Sequence, residues 1–168
     1  LLKNATYGNI EILTGENKIL SKAFSSSVVR FFNMQANYRS ILDFSSDALE
    51  ASEKGYLKLM EAITSLASLS SQKSSSVNIH QWKQKCYAAM NDDFNTPVLI
   101  SHIFEGVKFI NQIKEGKASI TSNDLVDFVT TMNAFVFDVL GLLNDVKDQA
   151  SEKIDGVVSL LIKLRKEA

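Results

Sequence analysis

The 168-residue chain is poor in the residues that turn-rich and disulfide-held folds depend on. It has one proline and seven glycines, too little punctuation for short strands joined by a turn every ~8–12 residues. Its one cysteine, Cys86, excludes an internal disulfide and a multi-thiolate zinc site, and leans toward a reducing compartment. No apolar run reaches about 18 residues, so no membrane span is expected. Excess charge of one sign is also missing: 18 Lys and Arg against 19 Asp and Glu leave a net charge of −1. A nucleic-acid partner would therefore need local basic patches rather than a global field. There is no glycine-rich phosphate loop, and His80 and His102 belong to no metal-binding His pair. The opening Leu1-Leu2-Lys3-Asn4 is neither a Met start nor a signal peptide, and reads as part of something longer. What remains is 45% hydrophobic and 22% charged, enough to bury a core and too apolar for a disordered chain.

The apolar residues recur with helical spacing. Leu125, Phe128, Val129, Met132, Phe135, Val136, Val139, Leu140 and Leu143 follow an i, i+3, i+4, i+7 pattern. Leu99, Ile103, Val107 and Ile110 make a second stripe, and Leu49, Tyr56 and Ile63 a third. Start signals agree: Ser25 or Ser27, Ser45 or Ser46, Asn78 with Gln81, Thr121 with Asp124, and Thr96 as a cap followed by Pro97. The pattern predicts helices near 16–23, 26–38, 46–70, 79–90, 97–114, 122–142 and 152–166. The Ser-rich stretch 69–76 reads as a flexible, poorly ordered connector. Residues 115–119 read as a tight helix–helix turn, and 144–150 as a third break. The fold class is all-α: a short helical lead-in over 1–44, an up-down bundle over 45–143, and the start of a helical extension over 144–168.

The chemistry-bearing residues are few. Cys86 reads as a packed thiol rather than a nucleophile. Asp92-Asp93 fits an acid–base or metal pair, but the helix start that follows explains it as well, and the structural reading is preferred. Catalytic residues and metal ligands are accordingly assigned to none. Charge by segment is more informative. Residues 1–40 carry five basic residues, Lys22, Arg30 and Arg39 among them, against two acidic ones; 71–90 carry Lys73, Lys83 and Lys85 with no acid. Interleaved with Trp82 and Tyr87, the second set could grip phosphate and stack on an unpaired base. The competing reading makes the aromatics bundle core and the lysines a solvated face.

Three segments then become specific. Val29–Leu49 contains Arg30-Phe31-Phe32 and Tyr38-Arg39-Ser40-Ile41-Leu42-Asp43-Phe44-Ser45. Ala89–Pro97 contains Asp92-Asp93-Phe94-Asn95-Thr96-Pro97. Val139-Leu140-Gly141-Leu142-Leu143 follows. In this order the segments resemble the cysteinyl-tRNA synthetases, in the part after their class I catalytic domain, and cover roughly residues 15–143. Departures are Asn37 where the family often has His, Ser27 where relatives carry Pro-Met, and only Gly8-Asn9 left of the K-M-S-K-S-L-G-N loop. The catalytic H-I-G-H motif and the zinc-binding Cys/His set are absent from these residues, as is the K-D-W segment expected further on.

The resemblance implies a helical stem-contact region followed by a helical-bundle anticodon-binding domain. It implies a non-catalytic, tRNA-binding piece of a cytoplasmic, monomeric enzyme with no membrane partner. That enzyme activates cysteine with ATP and passes it to its tRNA, and ATP and zinc belong to its catalytic domain, with no cofactor here. Arg30 and Arg39 match family positions facing tRNA phosphates, joined by Lys22 from the same basic segment. Trp82, Lys83 and Lys85 are nominated from the basic–aromatic pattern alone. Tyr38, Ser40, Asp92, Asp93, Phe94, Asn95, Thr96 and Pro97 are expected to be architectural, with Phe94 buried. A related ligase joining cysteine to a sugar amine, and a generic protein-interaction bundle, are the alternatives.

Overall fold

A computed structural model describes residues 20, 22–42 and 44–143, and within them the chain is helical with no strand. Helix α1 spans Ser26–Met34, α2 Ser46–Ser65, α3 Ile79–Asn91, α4 Thr96–Lys114 and α5 Ser122–Asn133. The helix expected over 152–166, the break at 144–150 and the extension over 144–168 lie outside the described residues. So does most of the helix expected over 16–23, whose described residues 20, 22 and 23 are not helical.

Each helix begins where a side chain can take up free backbone N–H groups. Ser25 accepts from Val28, Ser45 from Ala48, Asn78 from Gln81 and Thr121 from Asp124. The start of α4 differs from expectation. Asn95, not Thr96, is its cap, accepting from the Val98 N–H at 3.4 Å. The Thr96 hydroxyl instead donates to the carbonyl of Met34 at 2.8 Å, satisfying an acceptor left open at the end of α1.

Helix ends also fall earlier than the apolar pattern suggests. Helix α1 stops at Met34 rather than 38, because Asn37 folds the chain locally. Its side chain accepts from the Arg39 N–H at 2.9 Å and its carbonyl from the Ser40 N–H at 2.8 Å, a turn that competes with helix. Helix α2 gives way after Ser65 to one 3₁₀ turn, Leu66–Ser68, where the Ser65 and Ser68 hydroxyls donate back to the carbonyls of Ala62 and Ser65. After Asn133 the chain widens into a π-helical stretch, Ala134–Val139. There the Leu140 N–H reaches the carbonyl of Phe135 at 2.9 Å. The altered winding re-aims the side chains, so that Phe135, Val136, Leu140 and Leu142 are all buried.

The packing is up-down. Gly55 of α2 lies against Phe104 of α4, and ten residues on, Ser65 and Lys114 line one groove; these two helices run parallel. Trp82 meets Phe128 with ring centroids 4.9 Å apart, and Tyr87 meets Phe135 at 5.1 Å, which makes α3 and α5 parallel. Between the pairs, α3 is antiparallel to α4: Trp82 reaches His102 while Ala89 lies beside Asn95. Helix α1 adds Phe31 to the same core, 6.2 Å from the Tyr56 ring and 6.4 Å from that of Phe104. The buried cluster is therefore continuous from α1 through Leu142.

The connector corrects the expectation of disorder. Over 71–76 the chain pairs with 119–124. The Gln72 N–H donates to the Ile120 carbonyl at 2.7 Å and the Ser76 N–H to that of Ser119 at 2.9 Å. The Ser75 hydroxyl donates to Asp124 and accepts from the Thr121 N–H at 2.9 Å. Ser-rich composition predicts a linker; here the serine hydroxyls close hydrogen bonds that backbone alone leaves open.

Candidate nucleic-acid interface

The three specific segments meet in space, and the first touches both others. Tyr38 donates its hydroxyl to Asp93 Oδ2 at 2.6 Å, and Arg39 Nη2 donates to the same oxygen at 3.1 Å. The guanidinium also sits 5.1 Å from the centre of the Tyr38 ring. The hydrogen bond to Asp93, which needs the protonated hydroxyl, pushes Tyr38 above its ordinary pKa, and the negative charge beside it adds to the shift. Asn95 bonds Asp92 at 3.1 Å. Among the described residues, the acidic pair thus holds neighbouring side chains, with no third metal-ligating group beside it.

Asp93 and Phe94 have φ of 51° and 54°, a left-handed conformation that non-glycine residues rarely adopt. The bend ends α3: the Phe94 N–H reaches the Met90 carbonyl at 3.2 Å and the Asn95 N–H that of Ala89 at 3.0 Å. It also swings Phe94 outward, leaving it 71% exposed. The expectation that Phe94 is buried under the cap is therefore wrong. Ile41 and Tyr38 are exposed as well.

The third segment meets Arg30. Gly141 has φ of 61°, and a Cβ there would lie 2.8 Å from Arg30 Nη1. Glycine thus serves both the left-handed end of the helix and the close approach of the guanidinium. Nearby, the Leu143 N–H donates to the Ser27 hydroxyl at 3.4 Å, and the Tyr56 hydroxyl donates to the Leu143 carbonyl.

The remaining nominated residues do not form one patch. Lys22 pairs with Glu53 at 2.5 Å and Lys83 with Asp127 at 2.5 Å, while Lys85 reaches Glu105 at 3.0 Å. The partner carboxylates raise the pKa of Lys22 and Lys83, so these lysines stay charged but are already neutralised locally. Trp82 needs correcting as a stacking platform. It is 1% exposed, packed edge-on against Phe128 and over Gly106, with its indole N–H donated to the His102 carbonyl at 2.7 Å. An unpaired base cannot reach it; the aromatic that α3 presents to solvent is Tyr87. Cys86 is buried, and burial pushes its thiol up to about 12, so it offers neither a nucleophile nor a zinc ligand.

Sequence reasoning passed over a groove of about 380 Å³ between α2 and α4, lined by Lys58 and Lys114 together with Glu61, Ser65 and Asn111. Counting charge along the chain hides it, since α2 is acidic on balance. Helical phase would have found it, because it sets Lys54 and Lys58 on one stripe.

Comparison with known proteins gives these features a setting. Residues 85–144 match the DALR domain. The chain is 42% identical over 160 residues to the cysteine–tRNA ligase of Bacteroides fragilis, with 94% of this chain and 33% of that protein aligned. The cysteine–tRNA ligases of Parabacteroides distasonis and Bacteroides thetaiotaomicron are 40% and 41% identical, with the same two shares covered. The chain thus spans about a third of the length of the curated relatives it matches. The resemblance carried by three short segments extends over nearly the whole chain, which is similar to part of these cysteine–tRNA ligases and matches the DALR domain over 85–144.

Proposed function

We propose that the chain is the tRNA-docking part of a cysteine–tRNA ligase. The observation that carries this reading is its similarity, over 94% of its length, to proteins bearing that name. The stretch before residue 45 would meet the stem on the inside of the tRNA, and the bundle that follows would hold the anticodon arm. Arg30 beside Gly141 suits this role as a phosphate contact, and Arg39 would join it by exchanging its ion pair with Asp93 for a phosphate. Each is steered by its neighbour, and a guanidinium offers a planar fork to phosphate oxygens. Such contacts set register and orientation without reading bases.

The parent reaction, activation of cysteine with ATP and its transfer to cysteine tRNA, would run on a catalytic domain outside these residues, which alone would be inactive. ATP and zinc would serve that domain. The parent would work in the cytoplasm as a monomer. Among the described residues no helix is long and apolar enough to cross a membrane. A cysteine–sugar-amine ligase is not favoured, since the similar proteins are tRNA ligases.

The test is a titration of the chain with cysteine tRNA and a non-cognate tRNA at two salt concentrations. Salt-sensitive binding that prefers the cognate tRNA places base reading within these residues. Salt-sensitive binding without preference makes the chain a docking platform. Absence of binding to either at low salt would sink the reading for the chain on its own.

A further inference from the structure

The three lysines nominated from sequence, Lys22, Lys83 and Lys85, all face carboxylates. The groove between α2 and α4 is built differently. Lys58 enters it from α2 and Lys114 from the last turn of α4, over a floor of Ala62, Phe104 and Val107. Among the described residues neither lysine has a carboxylate within ion-pair distance. Of the other acids nearby, Glu53 holds Lys22, with Glu50 also acting on it, Glu105 holds Lys85, and Glu115 holds Lys117. Glu61 is the one acid lining the groove. The parallel run of α2 and α4 extends the charge along the groove. On α2, Lys54 stands one turn, about 5.4 Å, before Lys58. Asn111 supplies a neutral donor between Lys58 and Lys114.

We propose that this groove is a track for an RNA phosphate backbone, with Lys58 and Lys114 as its central cations. It rests on the tRNA-docking reading and names where on the bundle the RNA lies. Two ammonium groups against the single carboxylate of Glu61, over an apolar floor, leave the groove cationic and suit a polyanion, because each phosphate seated there releases condensed counterions. Compact, mobile ammonium groups hold phosphate as point charges, without demanding one base sequence.

The experiment measures binding of the whole chain to labelled cysteine tRNA across a salt series, for wild type, Lys58→Gln/Lys114→Gln and Lys83→Gln/Lys85→Gln. For the groove pair the slope of log affinity against log salt should fall by about 1.4 to 1.8, from ~0.7–0.9 per phosphate contact. The Lys83/Lys85 pair should leave the slope unchanged. Equal urea midpoints for the groove variant and wild type will show that the fold is intact. A wild-type slope in the groove variant, or an equal fall in both variants, overturns the track and leaves the tRNA reading standing. If wild type binds no tRNA at low salt, the tRNA reading fails first and the track with it.

Discussion

Trp82 shows how much one side chain can be asked to do in a helical core. It fills space between α3, α4 and α5, touches Gly106 at the closest approach of the helices, and satisfies its own polar atom on the His102 carbonyl. Trp82→Ala would leave a cavity among three helices and should cost about 3–5 kcal/mol in urea unfolding. A loss below about 1 kcal/mol would return Trp82 to the surface. The i, i+3, i+7, i+10 spacing of Ile79, Trp82, Cys86 and Ala89 sets Trp82 on the buried stripe, and Lys83 and Lys85 fall off it. Phe94 errs in the opposite direction. Its apolar type and the cap beside it argued for burial. Two consecutive left-handed residues, which no composition rule reveals, turned it out.

At the level of the elements, the caps were legible and the connector was not. Ser25, Ser45, Asn78 and Thr121 act where the sequence placed them, because a cap is a local bond to an N–H two or three residues on. The Ser-rich connector is ordered by partners 43 to 51 residues away, which local reasoning cannot see. That order has a pH signature. The Ser75 and Thr121 hydroxyls, bonded to its charged form, hold the Asp124 carboxyl below its ordinary value of 3.8. Once unfolded, the chain takes up that proton at higher pH than the folded chain. The stabilisation is therefore fully present above the ordinary value and lost as pH falls through the lowered one. Asp124→Asn should flatten the fall in urea midpoint between pH 5 and the acid limb, and speed amide exchange at Gln72 and Ser76. Unchanged acid dependence and unchanged exchange would mean the latch contributes nothing.

The described residues form one packed body from α1 to Leu142. Because Phe31 packs against both Tyr56 and Phe104, α1 should not melt ahead of the bundle. Unfolding followed by the fluorescence of the single tryptophan and by far-ultraviolet circular dichroism should give coincident transitions. An earlier loss of helix signal, with Trp82 fluorescence still native, would separate the lead-in from the core after all.

Across these scales, the sequence by itself determined the helical class, the helix starts and the three segments that carry the family resemblance. Helical period, capping and motif identity all reside within a few turns of chain. The tertiary structure decided what those residues face. It brought Tyr38 and Arg39 onto Asp93 and Arg30 over Gly141, although up to 111 positions separate the partners. It also matched most of the expected basic residues with acids and left Lys58 and Lys114 facing a groove. Net charge is a sum over the chain, whereas the field an RNA would meet depends on which charges the packing has already paired.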